Sequence, residues 1–106
     1  MILHTVNKSP FTSHTLSDCL NVAGQDDAIL FIENGVYSAV TSPLGLAEHL
    51  GTIERMIANG TQFYVLEADL QARGIEPHTV ANNIKSINDE GFVSLASSAR
   101  AVQSWY

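Results

Sequence analysis

The chain has 106 residues, enough for one domain and too few for two separate cores. Apolar residues make up 45% and charged residues 15%, so the chain is too hydrophobic to be disordered as a whole. The balance of 5 Lys+Arg against 11 Asp+Glu gives a net charge of −6, which argues against a protein built around the nucleic-acid backbone, because that binding needs clustered cations. One cysteine excludes an intramolecular disulfide and a cysteine-rich zinc site. No apolar run approaches the roughly 20 residues that span a bilayer. The opening MILHTVNKSP lacks the basic stretch and apolar run of a signal peptide, so a cytoplasmic protein is the expectation. High apolar content with sparse charge in so small a chain leaves apolar surface for another subunit to cover, although small α/β domains often share this balance.

Ile2 to Val6 is β-branched and apolar and reads as a strand, closed by the loop Asn7-Lys8-Ser9-Pro10. Ser13 or Thr15 is placed to cap a helix whose Leu16, Cys19, Leu20 and Ala23 form one buried stripe, with Gly24 as its stop. Ala28 to Ile32 is an unbroken apolar run, the pattern of a strand covered on both faces. Glu33-Asn34-Gly35 turns the chain, and Val36 to Val40 fits a short strand or a helical turn equally well. Residues 44–58 carry Leu46, Leu50, Ile53 and Ile57 at helical spacing, ended by Asn59-Gly60. A third strand covers Gln62 to Leu66, and a short helix runs from Glu67 to Arg73 with Gly74 as a left-handed stop. Pro77 belongs in a loop or at a helix start. Ile84 to Asn88 gives a fourth strand. Asp89 then caps a helix with Phe92, Leu95, Ala96 and Ala99 on one face, and Val102 to Tyr106 offers a terminal strand. This alternation predicts a three-layer α/β/α fold over residues 1–106, with a mostly parallel sheet of four or five strands.

Familiar site signatures are missing. No glycine-rich dinucleotide fingerprint follows the first strand, and no Walker loop or nucleophile elbow is present. His4, His14, His49 and His78 show no metal spacing, so neither a metal nor a cofactor is expected. Cys19 is the one thiol. A sulfur-carrying role needs it exposed and ionised, whereas its place in the apolar stripe suits a small core residue. Lys8 and Ser9 stand where ligands bind in open parallel sheets, beyond the carboxyl end of a strand and ahead of a helix, and so form a candidate anion or partner loop. An exposed lysine and a turn serine account for them more simply. Asp69 and Arg73, four apart on a helix, fit a surface ion pair. Trp105 and Tyr106 either fold back on the core or anchor a subunit contact.

Several stretches together resemble one family. Ile2-Leu3-His4-Thr5-Val6-Asn7-Lys8-Ser9-Pro10-Phe11 is similar to the opening of the DsrH/TusB family, small sulfur-relay subunits of the DsrE-like superfamily. Leu30 to Ala39 is similar to its second strand and the Asn-Gly-Val-Tyr continuation. Phe63 to Gly74 resembles its third strand and the turn Asp69-Leu70-Gln71-Ala72-Arg73-Gly74. Phe92-Val93 and Val102-Gln103-Ser104-Trp105 resemble its end. The Ser17-Asp18-Cys19-Leu20 setting looks closer to DsrH-type than to TusB-type members, and residues 41–60 depart from the usual link.

The resemblance implies a doubly wound fold and assembly with DsrE/TusD-like and DsrF/TusC-like subunits into a heterohexamer. It also implies delivery of persulfide sulfur to a DsrC/TusE-type carrier, for oxidative sulfur metabolism or 2-thiolation of the tRNA wobble uridine. The main sulfur-bearing cysteine then belongs to the DsrE/TusD-like partner, and this chain is an accessory subunit that does not itself bind nucleic acid. Two rivals remain, an independent sulfur carrier using Cys19 and a self-associating binding module unrelated to sulfur.

Overall fold

Five parallel strands form the centre of the molecule: β1 (Ile2–Val6), β2 (Ala28–Phe31), β3 (Gln62–Leu66), β4 (Lys85–Ile87) and β5 (Ala101–Trp105). Their spatial order is β4-β3-β2-β1-β5. The computed structural model describes residues 1–41 and 47–106. Helices α1 (Thr15–Val22), α2 (Ala47–Ala58) and α3 (Glu67–Ala72) each carry the chain one strand further from β1, and α4 (Asp89–Ser98) brings it back across the sheet to β5. Right-handed crossovers that move in one direction must lie on one face, and a return must lie on the other. The cores follow that rule. Leu16, Cys19 and Leu20 of α1, Ile53 of α2 and Leu70 of α3 cover Val6, Ile29, Phe31, Phe63 and Val65, with the Phe31 and Phe63 rings 6.1 Å apart. Among the described helices only α4, through Phe92, Leu95 and Ala96 and with Ala99 at its end, covers Leu3, Ala28, Leu30 and Leu66 on the opposite face.

This is the expected three-layer arrangement, with all five strands parallel. β2 reads as an unbroken apolar run because all four of its residues are buried. The stretch after it, open between strand and helix by pattern, is a 3-10 helix over Glu33–Ala39, and Val40 then makes a single antiparallel bridge to Val80. A third sheet neighbour is not available there, because β1 and β3 already flank β2.

Local signals hold with two corrections. Neither Ser13 nor Thr15 caps α1. His14 occupies the cap without a side-chain bond, and Ser13 Oγ instead accepts the Thr15 N–H at 3.2 Å. Gly24 stands just past the end of α1 as expected, but without a left-handed conformation, its N–H taken by Asp27 Oδ2 at 2.8 Å. For α4 the cap is Asn88, whose Oδ1 accepts the Gly91 N–H at 2.9 Å, while Asp89 stands in the first turn. Gly74 does take the left-handed conformation at φ 65°, and Pro77 opens a short 3-10 turn, Pro77–Thr79. The expected helix start at residues 44–46, Leu46 included, lies outside the described residues.

One glycine is fixed by space rather than by φ. A Cβ on Gly35 would stand 1.9 Å from the Val6 carbonyl oxygen and 2.7 Å from its carbon, so the 3-10 segment lies directly against the end of β1. Both parties are backbone and neither can yield cheaply. Gly35→Ala is expected to cost about 3 kcal/mol or more. Gly51→Ala, inside α2 with nothing near its Cβ, should instead add about 0.5–1 kcal/mol. Urea unfolding midpoints of the two variants give the comparison.

Candidate functional site

Strands β1 and β5 are neighbours with Val6 opposite Trp105, so the loop after β1 and the carboxyl end of β5 share one edge of the sheet. Two of the expected groups therefore come together there: Lys8 and Ser9, and Trp105 and Tyr106. Lys8 is exposed. Ser9 closes its own turn, its Oγ accepting the Phe11 N–H at 3.2 Å and its carbonyl the Thr12 N–H at 3.3 Å. Pro10 to His14 separate the pair from the first turn of α1, so the loop is not set against a helix N-terminus. Phe11, 56% exposed, lies 6.4 Å from the Tyr37 ring, centroid to centroid.

Asp69 and Arg73 do more than pair with each other at 3.8 Å. Asp69 Oδ2 accepts the N–H of Glu33 at 2.6 Å, the residue that turns the chain out of β2 at φ 51°. Arg73 Nε donates to Asn34 Oδ1 at 2.9 Å, and its Nη1 donates to the Asp69 carbonyl at 3.2 Å. The two side chains thus clamp the 3-10 segment that carries Gly35 against β1. The i,i+4 spacing signalled an ion pair, but nothing local signalled partners more than thirty residues away.

Trp105 folds back. Its ring packs against the α1–α3 core, and its Nε1–H donates to His4 Nδ1 at 3.1 Å. An indole N–H can only donate, so Nδ1 is the acceptor and the ring proton sits on Nε2. His4 Nε2 in turn donates to Asp27 Oδ2 at 3.0 Å. His4 is 2% exposed, so the middle of this Trp–His–Asp chain is buried while Trp105 and Asp27 are half-buried. The Asp27 carboxylate also accepts the N–H of Ile2 at 2.9 Å. Burial alone would raise its carboxyl, but the bonds from Gly24, His4 and Ile2 outweigh it and lower the pKa from 3.8 to about 2. Tyr106, beyond Trp105, is 84% exposed.

Cys19 does not join the shared edge. It faces inward from α1 with no exposed surface. Burial, helped by the nearby Asp27 charge, pushes its thiol up to about 12. A thiol in that state is a poor nucleophile and a poor persulfide carrier. Among the described residues no three His, Cys, Asp or Glu side chains stand close enough to hold a metal ion. No described helix is long and apolar enough to cross a membrane.

Two measurements follow from these two groups. Iodoacetamide should label Cys19 in the native chain at least ~100-fold more slowly than in the unfolded chain; fast native labelling would reopen the carrier role. Asp27 has a depressed pKa, so its stabilisation is complete above its unfolded pKa of 3.8 and is lost as pH falls through about 2. Asp27→Asn should therefore lower stability at neutral pH and flatten the acid limb of a stability-against-pH curve.

The family model described as "DsrH like protein" matches residues 8–102. Protein TusB of Pectobacterium parmentieri is 30% identical over 94 residues, covering 89% of this chain and 90% of that protein. Protein TusB of Serratia proteamaculans is 29% identical over 104 residues, covering 98% of this chain and 100% of that protein. Among solved structures, the ychN protein from E. coli superposes with a TM-score of 0.82 at 16% identity, over 98% of this chain and 97% of that one, a likeness of fold. With a family match over most of its length and that fold beneath it, the chain belongs to the DsrH family.

Proposed function

We propose that this chain is an accessory subunit of a cytoplasmic sulfur-relay complex, assembled with DsrE/TusD-like and DsrF/TusC-like subunits into a heterohexamer. The observation that carries this is the unequal cover of the sheet. Three helices seal one face and the only thiol beneath them, while the other face has one helix with no fully buried residue. Val93 on α4 is 65% exposed, Phe92 and Ala96 beside it are half-buried, and Val102 on β5 is also exposed. Apolar side chains in that position suit burial by another subunit.

The chemistry then belongs to the partner. A thiolate on the DsrC/TusE-type carrier attacks the outer sulfur of the partner's persulfide. The sulfur–sulfur bond breaks, the partner keeps its thiolate, and the carrier leaves as the new persulfide. This chain completes the assembly and shapes the surface where the two meet. Lys8, Ser9 and Tyr106, at one edge of the sheet, are its candidate contacts with the carrier. The sulfur goes on to 2-thiolation of the tRNA wobble uridine or to oxidative sulfur metabolism. The TusB names of the relatives favour the first, and the Ser17-Asp18-Cys19-Leu20 setting favours the second.

Native mass spectrometry of the chain co-expressed with both partner types, before and after a persulfide donor, tests the reading. The expected result is a complex with two copies of each subunit and added sulfur on the DsrE/TusD-like partner alone. Val93→Asp should keep the fold and weaken assembly by about 2 kcal/mol or more. Sulfur on this chain, lost in Cys19→Ser, would make it a carrier. A homo-oligomer that ignores both partners would make it a self-associating module.

A further inference from the structure

The Trp105–His4–Asp27 chain links parts of the sequence that are far apart. His4 and Trp105 are 101 residues apart, and His4 and Asp27 are 23 apart. It runs along the α1 side of the sheet, from the carboxyl end of β5, across β1, to the residue just before β2. The two bonds of His4 respond differently to a proton. The bond to Asp27 is donated by Nε2–H, which survives protonation and becomes charge-assisted. The bond from Trp105 needs a free lone pair on Nδ1, which protonation removes, leaving two N–H groups facing each other. One proton therefore strengthens one link and breaks the other.

We propose that His4 is the pin of a proton-operated latch, which holds the Trp105 ring and the carboxyl end of β5 against the core while Nδ1 is free and releases them when Nδ1 is protonated. The rest of β5 stays paired. Its backbone ladder with β1 is untouched, and Thr5 Oγ1 and Ser104 Oγ remain 3.4 Å apart on the opposite face. What moves is the Trp105 ring together with Tyr106, at the sheet edge that also carries Lys8 and Ser9. This device goes beyond the subunit role proposed above and does not depend on it.

From the β2 side His4 faces the Asp27 carboxylate, and α1 carries Cys19, whose thiol feels the Asp27 charge. From β5 it meets Trp105 and the neighbouring Gln103, neither of which titrates. Asp27, held at about 2, and Cys19, pushed up to about 12, keep their charge states through the interval of about pH 5 to 8 in which histidines ordinarily respond.

Trp105 is the only tryptophan, so one indole N–H signal reports the latch. The experiment follows that signal in a ¹H–¹⁵N spectrum of the full chain from about pH 8 to pH 5, with far-ultraviolet circular dichroism confirming an intact fold. The expected result is that indole N–H exchange speeds up by about tenfold or more on acidification, against the falling intrinsic base-catalysed rate. Tryptophan emission should shift with it. His4→Gln offers one acceptor and one donor and does not titrate, so it should abolish the transition. The imidazole ¹⁵N signals of the unmodified chain give a second measure, with His4 protonated on Nε2 alone at the start and on both nitrogens as the indole signal changes. An indole signal that ignores pH would overturn the latch. So would a transition that persists in His4→Gln, or a His4 ring that does not titrate in step with Trp105.

Discussion

The Asp27 carboxylate is the knot from which the rest of the structure is tied. It accepts N–H groups from the start of β1, from the end of the α1 turn, and from His4 in the middle of β1. The bonds from Ile2 and His4 are partly buried and the one from Gly24 is exposed, so the first two matter most to the packing. One side chain thereby sets the start of β1 against the start of β2, stops α1 at the right point, and fixes the ring orientation of the histidine that Trp105 binds. Replacing any one donor costs one bond, whereas replacing the acceptor costs all of them at once. A partly buried carboxylate with several donors is also the arrangement that keeps its charge without a cationic partner.

The contrast between Cys19 and the sheet's two faces gives the molecule its functional character. The helix stripe that seals the thiol is the same one that makes α1 pack, so exposing the sulfur would cost the core. Chemistry at this residue and stability of the fold are therefore opposed. The thinly covered face has no such conflict, because Val93 and Val102 can exchange solvent for another subunit without any rearrangement. A chain built this way contributes surface more readily than reactivity.

Much of this was legible from periodicity, and the limits follow from range. The stripe Leu16-Cys19-Leu20, the buried run Ala28 to Phe31 and the α4 face are all local patterns, and each reflects packing on one side or both. The family resemblance brought in the order of parts along the chain. His4 was readable only as an apolar-strand histidine, since its partners lie 23 and 101 residues away. Asp69 and Arg73 gave the i,i+4 pair but not the clamp on Glu33 and Asn34. The 3-10 segment stayed ambiguous because its buried residues, Gly35, Val36, Ser38 and Ala39, follow neither the strand nor the α-helical period, and the Gly35 contact with Val6 backbone has no side-chain signature. Asn88 rather than Asp89 caps α4, a one-residue difference that neighbouring acceptors of similar strength leave open.

The placement of β5 beside β1 also governs how the molecule comes together. Every other parallel pair in the sheet joins consecutive strands, with one α-helix between them among the described residues. The β1–β5 pair joins the first strand to the last and encloses nearly the whole chain in a single loop. Such a closure pays its entropy only after the intervening elements have formed, so it belongs to the late part of folding. Until then β1 has one satisfied edge and one open edge, and it is the strand with the greatest exposure to a wrong partner during synthesis. The uncharged β5 is therefore more than an added strand, because it covers the open edge of β1 and takes its place at the border of the sheet.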